Sequence, residues 1–237
     1  MAELTQEERC RYARSIAIDS IGIEGQRKLK ESKVLVVGCG ALGTVAATYL
    51  CASGVGHLAI ADFDTIDISN LQRQIMFMDS DAGKPKCHTL ASRLRMINPT
   101  VRIEEIPQMI KEEDAERLFP EFDFIIDGSD NPATKTMTSE VCKRLSKPCC
   151  IGGVSEMRGQ VLTCVPGSVF WHELFGGIRD SGFLPCAVSG VLGPVPGITG
   201  SIQATEAIKY ITGVGDLLKD RLLTFDSADM AFSVFRI

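Results

Sequence analysis

The chain has 237 residues, with 25 basic against 30 acidic side chains and a formal charge of −5. At 45% hydrophobic and 23% charged it has the composition of an ordinary globular domain, and the acidic balance excludes the overall basic field of a typical nucleic-acid binder. No apolar run approaches the roughly 18–20 residues that span a bilayer, and the polar, acidic first eight residues are not those of a signal peptide, so a cytoplasmic chain with no membrane or nucleic-acid partner is expected.

In chain order, Thr5-Gln6-Glu7-Glu8 has the capping-box pattern and opens a helix carrying Arg9, Arg11 and Arg14. A second short helix is predicted over about 24–31. Lys33-Val34-Leu35-Val36-Val37 is a continuous apolar run, as expected of a strand buried on both faces. It runs into Gly38-Cys39-Gly40-Ala41-Leu42-Gly43, a helix to about Ser53, and a second strand, His57-Leu58-Ala59-Ile60-Ala61, that ends at Asp62. Helices near 83–97, 112–118 and 134–145 then alternate with strands at 101–106, 122–126 and 149–151. That alternation predicts a parallel sheet covered on both sides. Beyond Gly159 a strand is expected at 160–165, no regular period over 166–189, a small-residue helix at 193–212, and closing strands at 221–225 and 231–237.

Nine cysteines, at 10, 39, 51, 87, 142, 149, 150, 164 and 186, form no Cys-x-x-Cys pair. Their odd number and irregular spacing argue against a disulfide framework. Most are expected to be small buried hydrophobes, Cys39, Cys149 and Cys150 among them.

A strand, then Gly38-x-Gly40-x-x-Gly43, then a helix is the setting in which this glycine pattern carries chemistry. The first glycine makes the tight turn, the second lets phosphate oxygens approach the backbone, and the third lets helix pack on strand. The helix N-terminus adds amide donors for an anion. Asp62, at the end of the next strand, stands where an acid would hold a ribose. These features predict a Rossmann-like, doubly wound α/β sheet. It should be mainly parallel, with antiparallel C-terminal strands and N-terminal helices. They leave open which nucleotide is bound, although no Tyr-x-x-x-Lys pair supports a nicotinamide enzyme.

Carboxyl ends of strands line the ligand crevice of such a sheet. Asp62, Asp64 and Asp130 fall there, and the cations Arg73 and Lys86 are placed to join them. Carboxylates for Mg²⁺ and cations for phosphate oxygens are the mixture that triphosphate chemistry requires.

Several segments together resemble the ThiF/MoeB/HesA family, relatives of ubiquitin-activating enzymes, over nearly the whole chain. They are Arg11-Tyr12-Ala13-Arg14, the glycine turn, Asp62-Phe63-Asp64, Ser69-Asn70-Leu71-Gln72-Arg73-Gln74, Gly83-Lys84-Pro85-Lys86, Ser129-Asp130-Asn131 and the stretch Gly200–Lys209. The resemblance implies a single adenylation domain over 1–237, with a helical arm at 1–32 and a crossover segment at 166–189. It implies ATP-dependent adenylation of the C-terminal glycine of a ubiquitin-like sulfur carrier ending in Gly-Gly, in thiamine or molybdopterin synthesis. Activation of another acid or of a tRNA base, and a non-catalytic nucleotide scaffold, are the rival readings.

Carried over residue by residue, Gly38, Gly40 and Gly43 form the phosphate turn, Gly40 beside the phosphates. Asp62 holds the ribose, with Asp64 alongside, and Asn70, Arg73 and Lys86 contact phosphates. Asp130 binds Mg²⁺, and Arg14 enters the site of a partner subunit, which implies a homodimer. The paired cysteines that hold structural zinc in many relatives are absent from this sequence, so zinc is not expected. Cys186 stands where some relatives capture the activated carrier. It is either that nucleophile or an inert loop thiol, and its presence inclines the reading toward the thiamine type. Gly152, Gly153 and Gly159 either make room for an extended glycine tail or relieve packing. The last strand is either a carrier-docking surface or a strand buried on both faces.

Overall fold

The structure, a computed structural model, describes residues 3–176 and 190–237. Two short helices, α1 (Gln6–Arg11) and α2 (Ala13–Ile16), form the arm, and α3 (Gly22–Glu31) leads into the sheet. The predicted cap is present: Thr5 Oγ1 accepts the Glu8 amide at 3.2 Å, and Glu8 accepts the Thr5 amide at 2.7 Å. The arm is fastened by Tyr12. Its hydroxyl receives a hydrogen bond from Asn98 at 2.8 Å, and its ring lies where a Cβ on Gly54 would sit at 2.5 Å.

The sheet is built from β1 (Lys33–Val37), β2 (His57–Ala61), β3 (Arg102–Ile106), β4 (Phe124–Asp127), β5 (Cys149–Ser155), β6 (Arg158–Cys164), β7 (Arg221–Asp226) and β8 (Ala231–Arg236). Its order is β3-β2-β1-β4-β5-β6-β7-β8. The first five are joined by parallel pairings and the last three are added antiparallel. Helices α4 (Ala41–Ala52), α5 (Lys86–Ile97), α6 (Glu112–Leu118) and α7 (Pro132–Arg144) connect the parallel strands, α8 (Trp171–Phe175) follows β6, and α9 (Pro194–Thr212) follows the undescribed stretch.

The pleat sends alternate residues to opposite faces. Val34 and Val36 therefore join one apolar core with Leu58 and Ile60, while Leu35 and Val37 join the other with Ala59 and Phe119. The expected fold is borne out, with local differences. β5 runs to Ser155 because it pairs along its whole length with β6, and α8 lies inside the stretch expected to lack regular structure. Trp171 anchors α8, buried with its ring 4.3 Å from that of Phe175.

β1 sends the chain toward β2 on one side while β4 pairs parallel on the other, so the order in which strands are added reverses between β1 and β4. The loops after these two strands meet at that switch point. A Cβ on Gly38, whose φ is +93°, would lie 3.0 Å from the Gly128 backbone, and one on Gly43 would lie 1.8 Å from the Gly38 carbonyl oxygen. Gly43→Ala is therefore expected to cost about 3 kcal/mol, measured as a fall in urea midpoint. An unchanged midpoint would mean that the loops do not interlock as described.

β8 corrects one expectation. All six of its residues are exposed, with Phe232, Val234 and Phe235 about half accessible, so it is no strand buried on both faces. It is the last strand of the sheet, and α9 packs on β5 and β6 instead. Among the described residues no helix is long and apolar enough to cross a membrane.

Candidate active site

The cleft at the switch point is lined by the glycine loop, the ends of β1, β2 and β4, and the loops around residues 73–74, 108–110 and 128–131. Gly38, Gly40, Asp62, Asp64, Arg73, Lys86 and Asp130, placed there by sequence reasoning, all border it. Gly43 does not. It serves packing, as the third glycine of such a turn should. Gly40 is the N-cap of α4, and a Cβ there would meet nothing nearer than 3.9 Å, so the loop leaves open space at that point. Ala41 and Leu42, in the first turn of α4, border the cleft, and first-turn amides have no partner within their own helix.

Asp62 is tied into the loop. Its Oδ2 accepts the Cys39 amide at 2.6 Å and its Oδ1 the Asp64 amide at 2.8 Å. Burial pushes the Asp62 carboxyl above the usual carboxylate range, against the opposing pull of those two amides. If this carboxylate holds ribose hydroxyls in its ionised form, nucleotide binding releases the proton. ATP affinity is expected to rise with pH through this raised pKa and then level, and Asp62→Asn to flatten that dependence. Calorimetric titrations at a series of pH values check both; a parallel slope in the variant would remove Asp62 from the site.

Lys86 is the first residue of α5. Its ammonium is buried and lies 3.0 Å from Asp64, whose side chain is half exposed. A cation in that position adds its charge to the positive end of the helix dipole. Folding alone does not favour a buried lysine there; an anion arriving in the cleft would. Arg73 lies one turn after the 3₁₀ turn Ile68–Asn70 and donates to the Ser69 carbonyl at 2.9 Å. Asn70 does not border the cleft: its Oδ1 accepts the Asp67 amide at 3.3 Å, and its carbonyl receives the Arg73 and Gln74 amides. In this structure it organises the loop that presents Arg73.

Asp130 is exposed and makes no hydrogen bond or ion pair among the described residues. Arg14, on α2, is exposed and does not border the cleft of its own chain. Cys186 lies outside the described residues. Seven of the eight described cysteines are buried, and burial pushes the Cys51 thiol up to about 11 and raises Cys39 and Cys150. Among the described residues no three His, Cys, Asp or Glu side chains converge as a metal cage.

Two features went unassigned by sequence reasoning. Gln74 is buried at the cleft, with an Oε1 that has no partner among the described residues. Asp127 and Lys135 form a buried ion pair at 3.0 Å directly beneath the Ser129–Asp130 turn. Neither residue type draws notice by itself: Gln74 sits inside a quoted motif, and Lys135 reads as a surface helix lysine.

At Asp130 the cleft opens into a trough of about 860 Å³ that shares Leu42, Ser129, Asp130 and Val154 with it. The trough floor is the sheet face carrying Gly153, Gln160, Thr224 and Ser233 in one row and Ser155, Arg158, Asp226 and Ala231 in the next. Its wall is formed by α7, Trp171 and Phe175. Gly153 borders it. Gly152 answers to packing, since a Cβ there would meet Thr199, Gln203 and Leu42 within 2.9 Å; Gly159 also borders the trough, and a Cβ there would meet Phe225 at 2.3 Å.

The model of the ThiF family matches residues 12–237. The chain belongs to the ThiF family. Among its relatives in that family, a SAMP-activating enzyme E1 of Haloferax volcanii is 40% identical over 223 residues, covering 94% of this chain and 83% of its own. A molybdopterin-synthase adenylyltransferase of Haemophilus influenzae is 40% identical over 232 residues, covering 97% and 95%. A sulfur carrier protein adenylyltransferase of Thermus thermophilus is 35% identical over 241 residues, covering 96% and 87%. Among solved structures, E. coli MccB with ATP superposes with a TM-score of 0.83 at 25% identity, over 95% of this chain and 71% of that one.

Proposed function

We propose that this ThiF-family chain adenylates the C-terminal carboxylate of a ubiquitin-like sulfur carrier, with MgATP as the co-substrate. The observation that carries the reading is the continuity of the two cavities. A cleft lined by Arg73, Lys86, Asp62, Asp64 and Asp130 meets at Asp130 a larger trough of about 860 Å³. A chain lying on the floor of small and polar side chains brings its terminal carboxylate to the phosphates. The names of the 40%-identical relatives, one a molybdopterin-synthase adenylyltransferase, support an adenylyltransferase and favour a molybdopterin-type over a thiamine-type carrier.

The chemistry needs no base. A C-terminal carboxylate with an ordinary pKa near 3.3–3.7 is ionised at neutral pH. One of its oxygens attacks the α-phosphorus, the bond from that phosphorus to the bridging oxygen breaks, and pyrophosphate leaves. The difficulty is bringing two anions together, so positioning and charge neutralisation carry the rate. Among the described residues, the charged side chains lining the cleft are Arg73 and Lys86 against Asp62, Asp64 and Asp130, a net charge of −1. That balance cannot neutralise a triphosphate, and it supports two additions. One is Mg²⁺, for which a single carboxylate alongside phosphate oxygens is a usual donor set, Asp130 here. The other is a cation from outside the chain's own cleft, Arg14 of a second copy in a homodimer. Exposed apolar side chains on either side of Arg73 in the sequence, Ile68, Ile75 and Met78, fit such an interface. The cytoplasmic location expected from the sequence belongs to the same reading.

A carrier ending in Gly-Gly should form carrier–AMP with this enzyme and ATP, seen as a mass increase of the carrier. The same carrier with an amidated terminus should form none. Modification of the amidated carrier would place the reaction elsewhere.

A further inference from the structure

Between β4 and α7 only Gly128, Ser129, Asp130 and Asn131 intervene, and every hydrogen-bonding group of Ser129 is held. Asp127 Oδ1 accepts the Ser129 amide at 3.0 Å and its hydroxyl at 2.7 Å. Lys135 Nζ donates to the Ser129 carbonyl at 2.6 Å and to Asp127 Oδ1 at 3.0 Å. On the far side of Asp130, Asn131 Oδ1 accepts the Ala133 amide at 2.8 Å. The peptide group that precedes Asp130 is thus held through the Ser129 carbonyl, and Asn131 behind it is engaged in capping α7, while the Asp130 carboxylate is left without a partner among the described residues.

Stability does not account for this arrangement. Asp127 is fully buried and Lys135 nearly so, and a buried ion pair seldom adds stability over an apolar pair of the same size. Lys135 also sits in the first turn of α7, where a cation opposes the helix dipole. Asp127 Oδ2 is buried with no partner among the described residues, which adds to the cost of the pair. What the pair supplies is a rigid turn, and that turn carries Asp130.

We propose that the buried Asp127–Lys135 pair is a positioning device that holds the Ser129–Asp130 turn so that the Asp130 carboxylate is set for the metal ion of MgATP. The proposal rests on the reading of Asp130 as the metal-binding carboxylate. Asp127 and Lys135 are positioning residues, acting through the turn.

The test is the gain in ATP affinity on adding Mg²⁺, measured by calorimetry with and without the ion, so that no turnover is involved. Asp127→Asn combined with Lys135→Met removes both buried charges together and is expected to fold. Its metal-free ATP affinity should stay within about twofold of the parent, while the Mg²⁺-dependent gain falls about tenfold, or about 1.4 kcal/mol. Lys135→Arg, which keeps the charge and the donors, should retain most of the gain. A folded double variant with the full gain overturns the proposal and assigns the pair to packing alone. If the double variant does not fold, Ser129→Ala decides: it removes the hydroxyl held by Asp127 and should lose part of the gain, and full retention overturns the proposal. Asp130→Asn, run alongside, tests the underlying reading separately. If it keeps the full gain, Asp130 does not bind the metal and the proposal falls with that reading.

Discussion

Lys86→Met is expected to lower adenylate formation by roughly 10²–10³-fold, the range seen when one preorganised electrostatic contact to a transition state is removed, while leaving the protein folded. The two effects separate because of where Lys86 lies. It is a buried cation at the first position of a helix, the end at which positive charge is unfavourable. Methionine has a similar length, fills the same space and relieves that repulsion. The ion pair it removes is with a carboxylate half exposed to solvent, and such pairs contribute little. The melting temperature should therefore match or exceed that of the parent as activity collapses. Activity within about threefold of the parent would contradict the assignment of Lys86 to the phosphates. A melting temperature lowered along with activity would make it a structural residue.

Arg14→Ala is expected to abolish most activity, and mixing it with Lys86→Met to restore some. Arg14 is exposed and outside the cleft of its own chain, so if it acts at all it acts on a second copy. In a twofold dimer of the two variants, one site combines an intact Lys86 with an intact Arg14 and the other combines both defects. Random 1:1 reassortment then yields roughly a quarter of the parental sites, since half of the dimers are mixed and each has one working site. Recovery to that level, from two preparations that are each nearly inactive, supports both the dimer and the action in trans. Activity that stays at the level of the separate variants would contradict the trans assignment.

The glycine loop, Asp62 and the alternation of strands and helices were legible in the sequence because backbone geometry dictates them. A glycine whose added Cβ would lie 1.8 Å from a carbonyl oxygen has no substitute, and a strand covered on both faces has to be apolar throughout. Lys86 and Arg73 were legible through the family motif. Their place at the cleft was foreseen, but the local reasons for it, the Asp64 contact and the Ser69 carbonyl, were not. Asn70 lies in the motif yet helps to hold the loop rather than bordering the cleft, since its Oδ1 accepts the Asp67 amide. The Asp127–Lys135 pair was not legible, since a lysine in a polar helix reads as solvated until the fold brings it over the end of β4. Exposure of β8 was equally hidden. Alternation shows that both faces carry apolar groups, and only the structure shows that this last strand of the sheet leaves its residues exposed.

The central claim, that the cleft activates a carboxylate delivered along the trough, is tested most directly by ATP–pyrophosphate exchange with the purified protein. Carriers ending in Gly-Gly are added one at a time, molybdopterin-type and thiamine-type among them. Mg²⁺-dependent exchange is expected with one carrier and none without it, the active carrier naming the pathway. Silence with every intact carrier, despite measurable MgATP binding, would contradict the sulfur-carrier assignment and point to a different acid. Silence together with no ATP binding would contradict the reading of the cleft itself.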